Sequence, residues 1–244
     1  MSNDALNCDR LPETYRAGFE QLAETLIREA GDNLLGIAAF GGWLTDDPLF
    51  AGTPGRSVVL LDKIDLALLD RIAGDAVKFG RANLTAPLMM TPRYIESSCD
   101  VFPLEFLEIR QTQAVIYGRD GFADLSLKKP EVRLQCEREL KGELVHLRQG
   151  LLAAGGKHQR LGEVSRIGAA RIIRYLRGIL LIADVAPPPA VSREIVQKSA
   201  AALGVKLETL ARVVAAAAPT DFITFRLLYD EIDALTQAVD GMTV

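Results

Sequence analysis

The sequence predicts an α/β or α+β domain over residues 1–128, followed by an all-α helical bundle over residues 129–244. In the first half of the chain, short apolar runs alternate with segments of helical periodicity, which is typical of helices packed on one sheet. No strand-like run follows Leu127, whereas helical periodicity continues almost to the last residue. The sequence Lys128-Lys129-Pro130 therefore marks the expected boundary.

Five short apolar segments are predicted to form the strands of the sheet. They are rich in aliphatic residues, and residues typical of turns lie between them. The segments are residues 34–42 (LLGIAAFGG), 57–61 (SVVLL), 86–91 (APLMMT), 103–109 (PLEFLEI) and 113–118 (QAVIYG).

Two helices are predicted before and between these strands. The first covers residues 11–30. The second follows residues 57–61, with Asp62 as its N-cap and Asp65 as a favourable charge in its first turn. The inward face of the second helix is predicted from an apolar stripe of Leu66, Leu69, Ile72, Ala73 and Ala76.

Five further helices are predicted in the second half of the chain. A long helix over residues 131–156 is followed by one that ends near Asp184, after which three prolines at 187–189 break the chain. The last three helices are predicted at residues 191–203, 206–217 and 220–239.

The composition is that of an ordinary globular protein, with 49% hydrophobic and 25% charged residues. A formal net charge of −4 gives no overall attraction to nucleic acid or to an anionic membrane. Three widely spaced cysteines argue against a zinc site and against a disulfide framework. The polar first residues lack an export signal and the longest apolar run is too short to span a bilayer, so we expect a cytoplasmic location.

Several segments of the chain, taken together with the order in which they occur, resemble the nucleotidyltransferase superfamily. The resemblance is to its bacterial form, in which a small domain with a mixed sheet precedes a helical bundle. GIAAFGGWLTDD places Gly41-Gly42 at the family's Gly-Ser turn, with Gly42 in place of the serine. SSCDVFPLEFLEIRQTQAVIYGRD is similar to the family's third-carboxylate strand and closing strand, and EVRLQCERELKGELVHLRQ is similar to its first bundle helix.

The resemblance implies metal-dependent chemistry in a cleft between the two domains. Nucleotidyl transfer uses Mg²⁺ to bridge the triphosphate and to activate the attacking hydroxyl. Two carboxylates at positions i and i+2 of one strand, and a third from a neighbouring strand, hold the metal on the same side of the sheet. The glycine turn lets backbone N–H groups approach the phosphates closely.

The expected carboxylate pair is missing from its place. The resemblance puts Asp-x-Asp within Thr53–Ser57, which reads Thr-Pro-Gly-Arg-Ser and contains no acid. Pro54 and Arg56 occupy the two positions, and an arginine there repels Mg²⁺. Glu105 remains at the third-carboxylate position, and one hypothesis is that it forms an ion pair with Arg56.

Other acids are candidate metal ligands. Asp46 and Asp47 follow the glycine turn, although acids before a proline most often mark a chain turn. Asp62 and Asp65 are better explained by the start of a helix. Glu105 lies in an apolar segment, and a carboxylate is not buried without a partner. It is therefore expected to face a cleft, to pair with a cation such as Arg56, or to be exposed at the edge of the sheet. Three candidates therefore remain for a metal: Asp46, Asp47 and Glu105.

Basic residues of the bundle are candidate ligands for an anion. Arg138 and Lys141 of its first helix can meet a phosphate, although Glu137 also fits an ordinary i,i+4 pair with Lys141. A basic stripe on the second bundle helix indicates either a solvated face or an anionic partner, and it consists of Arg171, Arg174 and Arg177. The predicted ligand-binding residues are Gly41, Gly42, Arg56, Arg138 and Lys141.

Three functions are compatible with these features. The missing acids favour a catalytically degenerate member of the superfamily that binds a nucleotide, another small anion or a protein partner in the interdomain cleft. The first alternative is an active Mg²⁺-dependent nucleotidyltransferase with ligands drawn from Asp46, Asp47, Asp62 or Glu105. The second is a structural or regulatory module that binds a partner, or a second copy of itself, through the apolar face of residues 220–239.

Overall fold

The computed structural model describes residues 6–185, 191–216, 219 and 221–243. The chain divides into two compact units, which we call the sheet unit and the helical unit. The sheet unit consists of Met1–Thr45, Gly52–Cys99 and Glu108–Ser126. The helical unit consists of Asp46–Ala51, Asp100–Leu107 and Leu127–Val244, so it includes two short segments from the first half of the chain.

The first half of the chain contains four strands and five α-helices among the described residues. In chain order they are α1 (Glu13–Ala30), β1 (Leu34–Phe40), β2 (Arg56–Leu61), α2 (Leu66–Ala73), α3 (Ala76–Arg81), β3 (Leu88–Met90), α4 (Pro92–Ser97), α5 (Pro103–Thr112) and β4 (Ala114–Gly118). The predicted α/β class is confirmed, and four of the five predicted strands are present.

The strands form one mixed sheet in the order β3-β2-β1-β4. β1 pairs antiparallel with β2 on one side and with β4 on the other, whereas β2 and β3 are parallel. The register of β1 and β2 places Phe40 opposite Arg56. The end of β1 and the start of β2 are therefore neighbours at one edge of the sheet.

Apart from Arg56 and Ser57 at the start of β2, the central strands β1 and β2 are apolar because both of their faces are buried. One face packs in a core with Phe19 and Leu22 of α1, and it includes Ile37 of β1, Val59 of β2 and Ile116 of β4. Residues of the opposite face of β1 and β2 are also buried: Ala38, Phe40, Val58 and Leu60. This double burial explains why these strands could be predicted from continuous apolar runs.

Residues 103–109 form part of a helix, so the prediction of a strand there was wrong. Helix α5 runs from Pro103 to Thr112. Its first turn contains Glu105 and its last turn contains Arg110, which is the charge distribution that a helix dipole favours. These end signals favour a helix. The strand prediction was wrong because it relied on the dense apolar content of the segment, which does not distinguish a strand from a helix.

The start of α2 also differs from the prediction. Asp65 is its N-cap and accepts a hydrogen bond from the Ala67 N–H at 2.9 Å, whereas Asp62 lies before the helix. The buried face of α2 contains Leu68 and Ile72, whereas Leu66 is exposed. The predicted inward stripe was therefore correct only in part.

The five helices predicted in the second half of the chain are present. They are α6 (Lys129–Ala154), α7 (His158–Ile182), α8 (Ser192–Leu203), α9 (Glu208–Val214) and α10 (Phe222–Asp240). Buried aliphatic side chains from all five form one core, together with Leu49 and Leu104 from the two segments of the first half. The proline triplet 187–189 lies outside the described residues. Within the described part of the chain, no helix is long and apolar enough to cross a membrane.

Two helical glycines of this unit lead to opposite predictions. At Gly142 of α6 an added Cβ meets no atom within 4 Å, so Gly142→Ala should raise the free energy of unfolding by about 0.5–1 kcal/mol through helix propensity. At Gly178 of α7 the Cβ would collide with Leu104 and lie 2.8 Å from Cys136 Sγ. Gly178→Ala should lower the same free energy by about 1 kcal/mol, because overpacking exceeds the gain in propensity.

Urea denaturation followed by circular dichroism measures both variants. Stabilisation by Gly178→Ala, or destabilisation by Gly142→Ala, would contradict the surroundings of these two glycines described above.

Candidate functional site

The glycine turn at the end of β1 requires glycine at its first position. Gly41 has φ = 113°, a backbone conformation that residues with a side chain rarely adopt. A Cβ on Gly41 would also lie only 3.3 Å from Cδ1 of Trp43. The turn therefore brings the backbone of residues 41 and 42 to the edge of the sheet beside the start of β2.

Arg56 places a positive charge next to this turn. Its guanidinium carbon lies 4.4 Å from the ring centroid of Phe40, at cation–π distance. Its Nη1 donates hydrogen bonds to both carboxylate oxygens of Glu108, at 3.1 and 3.3 Å. The side chains of Arg56 and Glu108 are 40% and 13% exposed, so the arginine is the more accessible member of the pair.

The last turn of α5 holds the glycine turn in place. The Gly41 N–H donates to Oγ1 of Thr112 at 2.9 Å, and that hydroxyl donates to the carbonyl oxygen of Glu108 at 2.7 Å. Helical spacing of four residues lets one turn of α5 contact both the glycine turn and Arg56. We call Gly41, Gly42, Arg56, Glu108 and Thr112 the glycine-turn site.

Trp43 packs inside the sheet unit behind this site. Its Nε1 donates to the carbonyl oxygen of Phe40 at 2.7 Å. Its ring lies parallel to that of Phe19, with an interplanar angle of 3° and centroids 5.3 Å apart. The side chain is buried, so it supports the turn from within.

The residues at the start of β2 do not fit a Mg²⁺ site of the kind that the family resemblance implies. Thr53–Ser57 supplies no carboxylate, and Glu108 is bound to Arg56. A single carboxylate in contact with a guanidinium is a poor ligand set for a hard divalent cation, which prefers several oxygen ligands. Among the residues that the structure describes, no group of three or more His, Cys, Asp or Glu side chains is placed to hold a metal ion.

The two acids after the turn belong to the helical unit. Asp47 is buried, and its Oδ1 accepts from the Leu49 N–H at 3.0 Å. Its Oδ2 accepts from the Ser192 N–H at 2.6 Å, at the first residue of α8. Both oxygens thus satisfy backbone donors, and the charge lies at a helix N-terminus where it is stabilising. Asp46 is exposed.

Glu105 also lies in the helical unit, where it has two partners. Its Oε2 accepts from Nε2 of Gln135 at 2.8 Å, and its Oε1 lies 3.5 Å from Nη1 of Arg174. Oε1 of the same glutamine accepts from the Leu104 N–H at 2.8 Å, near the start of α5. The expected Arg56–Glu105 ion pair is not what the structure shows, because Arg56 pairs with Glu108, one helical turn further along α5.

Arg138 and Lys141 lie on α6 and have acidic neighbours. Nη2 of Arg138 lies 3.5 Å from Glu139, and Nζ of Lys141 lies 2.6 Å from Glu137 and 3.6 Å from Asp240. The hydrogen bond between Lys141 and Glu137 lowers the pKa of the glutamate and raises the pKa of the lysine. The pairing predicted from the i,i+4 spacing of Glu137 and Lys141 is therefore present.

The basic stripe of α7 is not a uniform solvated face. Arg171 lies 3.2 Å from the buried Glu143 of α6, and Arg174 contacts Glu105 as described above. Arg177 is buried. Arg171 and Arg174 thus form ion pairs inside the helical unit.

Glu108 and Thr112 are the site residues that sequence reasoning missed. Glu108 lies in the strand predicted at residues 103–109, and Thr112 lies just before the strand predicted at residues 113–118. The strand prediction therefore gave the two residues no common neighbour. Pro103 at the helix start, Glu105 in the first turn and Arg110 in the last turn are signals that could have identified α5. Recognition of that helix would have placed Glu108 and Thr112 one turn apart.

Comparisons with known proteins identify the fold. No protein-family model matches the chain, and no curated protein matches it. Among solved structures, the chain is similar to spectinomycin adenyltransferase AAD(9) from Enterococcus faecialis, whose crystal structure contains ATP and spectinomycin. The TM-score is 0.54 at 11% sequence identity, and the match covers 92% of this chain and 99% of the other. The chain therefore has a nucleotidyltransferase-like fold, with a mixed-sheet domain followed by a helical region.

Proposed function

We propose that this chain, as a protein of nucleotidyltransferase fold, binds a nucleotide at the glycine-turn site without metal-dependent nucleotidyl transfer. The observation that carries the proposal is Arg56, which begins β2 beside the glycine turn and is bound to Glu108. The resemblance places a metal-binding carboxylate at that point. The solved neighbour was crystallised with ATP, which supports a nucleotide as the ligand class.

Electrostatics favours an anion over a metal cation beside Arg56. At a separation of about 5 Å and an effective dielectric constant of about 20, a guanidinium and a divalent cation repel by roughly 7 kcal/mol. Glu108 offsets part of this repulsion, but it is one carboxylate where the chemistry uses three. A phosphate at the same place would instead be attracted to Arg56.

Arg56 has the hydrogen-bonding capacity to hold a phosphate while it remains bound to Glu108. Nη1 of Arg56 donates both hydrogen bonds to Glu108. A guanidinium has five N–H donors in a planar fork, so Nη2 and Nε are the donors proposed for the phosphate. The exposure of the arginine side chain supports this role.

The alternative with relocated carboxylates is less well supported. Asp47 satisfies two backbone N–H groups, and Glu105 binds Gln135 and lies near Arg174. Recruitment of either acid to a metal would leave buried polar groups of the helical unit unpaired, which costs free energy. The proposal therefore assigns both acids to the structure of that unit.

A transfer assay tests the proposal. Purified protein is incubated with ATP, Mg²⁺ and spectinomycin, the acceptor found in the neighbour, and pyrophosphate release is measured. We expect no release above that of a protein-free control. Release that depends on Mg²⁺ and is lost in the Glu108→Gln variant would overturn the proposal, since it would make Glu108 a metal ligand of an active enzyme.

A further inference from the structure

One ridge of helix α10 is exposed along its length and has a self-complementary pattern. Its residues follow one another at intervals of four, so they lie in one row on the helix surface. The row reads Phe222, Arg226, Asp230 and Ala234, and all four side chains are exposed. An aromatic ring and a cation in the first half of the row are followed by an anion and a small residue in the second half.

Apolar side chains in this row and beside it form an exposed surface. Phe222, Ile223 and Leu227 are 45%, 62% and 39% exposed. Phe222 and Arg226 also line a groove of about 210 Å³ together with Leu151 of α6. Exposed aromatic and aliphatic side chains that cluster on one helix mark an interaction site more often than isolated ones do.

We propose that a second copy of this chain docks on this row, so that the α10 helices of two copies pack antiparallel about a twofold axis. The twofold axis passes at the level of Leu228. A residue a given number of positions before Leu228 in one copy therefore faces the residue the same number of positions after Leu228 in the other. Arg226 then faces Asp230 of the second copy, and Phe222 faces Ala234 of the second copy. Each of these contacts occurs twice, as an isologous interface requires.

The contacts at the axis are also compatible in size. Leu227 lies one residue from the axis, so in this arrangement it faces Tyr229 of the second copy, and the two copies of Leu227 lie close together beside the axis, where they shield the two Arg226–Asp230 pairs from water. Ala234 leaves room for the ring of Phe222, as a small residue does opposite a large one in close helix packing. The charge pattern selects the antiparallel arrangement, because a parallel pair in register would set Arg226 against Arg226 and Asp230 against Asp230.

Sedimentation velocity of the full chain with charge-swap variants tests this interface. We expect the wild-type chain to form a dimer. Arg226→Glu and Asp230→Arg should each weaken the dimer by roughly 10-fold or more, because each creates two like-charge contacts. The double variant Arg226→Glu/Asp230→Arg should regain wild-type association, because it restores both pairs with exchanged signs.

A matched control reverses the charge of an exposed arginine on another helix of the same unit. Arg193→Glu on α8 should leave dimerisation unchanged, and circular dichroism confirms that every variant is folded. A wild-type chain that stays monomeric at its highest soluble concentration would overturn the proposal. So would single variants that dimerise normally, or a double variant that dimerises no better than the singles.

Discussion

The Asp47→Ala variant is expected to lose about 3 kcal/mol of unfolding free energy, because two buried backbone N–H groups lose a charged acceptor. The carboxylate accepts from the Leu49 N–H and from the Ser192 N–H at the start of α8. Hydrogen bonds to a charged group contribute about 1.5–3 kcal/mol each. Partial solvation of the vacated space keeps the expected loss at the lower end of their sum.

Urea denaturation followed by circular dichroism at the helix band measures this loss, because most of the residues in helices belong to the helical unit. Asp46→Ala is the matched control, since Asp46 is the exposed neighbour of the same charge. Its effect should stay within about 0.5 kcal/mol. If Asp47→Ala were as stable as wild type and had lost binding of Mg²⁺, Asp47 would be a metal ligand rather than a structural anion.

The Arg56→Ala variant is expected to bind ATP roughly 10-fold or more weakly than wild type, because a charge-assisted hydrogen bond to phosphate is worth at least about 1.5 kcal/mol. Calorimetric titration measures the affinity. Arg93→Ala is the control for loss of charge, since Arg93 is an exposed arginine of the same unit. Its affinity for ATP should match that of the wild type.

Glu108→Gln separates two explanations for an effect at this site. If Arg56 binds phosphate directly, loss of the neighbouring negative charge should leave ATP binding unchanged or strengthen it. If Glu108 instead holds a metal that carries the nucleotide, the same variant should weaken binding. A weaker Glu108→Gln together with an unaffected Arg56→Ala would contradict the proposed role of Arg56.

Most of the fold could be predicted from the sequence because buried strands and buried helix faces each have a recognisable pattern of apolar residues. β1 and residues 58–61 of β2 are continuous apolar runs because both of their faces are covered. The long helices α6, α7 and α10 present aliphatic residues at helical spacing to one core. The glycine turn could also be predicted, since two glycines at the end of a strand mark a turn whose backbone conformation is rarely adopted by residues with a side chain.

The site was harder to predict because its contacts join residues distant in sequence. Arg56 was identified as the replacement for a carboxylate, but its partner was assigned to Glu105 instead of Glu108. That error followed from the strand predicted at residues 103–109, whose local apolar content does not distinguish a buried strand from a buried helix. The role of Asp47 at α8 was also hidden, because 145 positions separate it from Ser192.

Calorimetric titration of the wild-type chain with ATP, in excess Mg²⁺ and again in excess EDTA, tests the central claim most directly. A site that recognises phosphate through Arg56 should bind ATP in both conditions, and at least as tightly in EDTA, because Mg²⁺ neutralises part of the phosphate charge that the arginine attracts. Binding that occurs only in the presence of Mg²⁺ would contradict the account, since it would require a metal site that Arg56 and Glu108 do not provide.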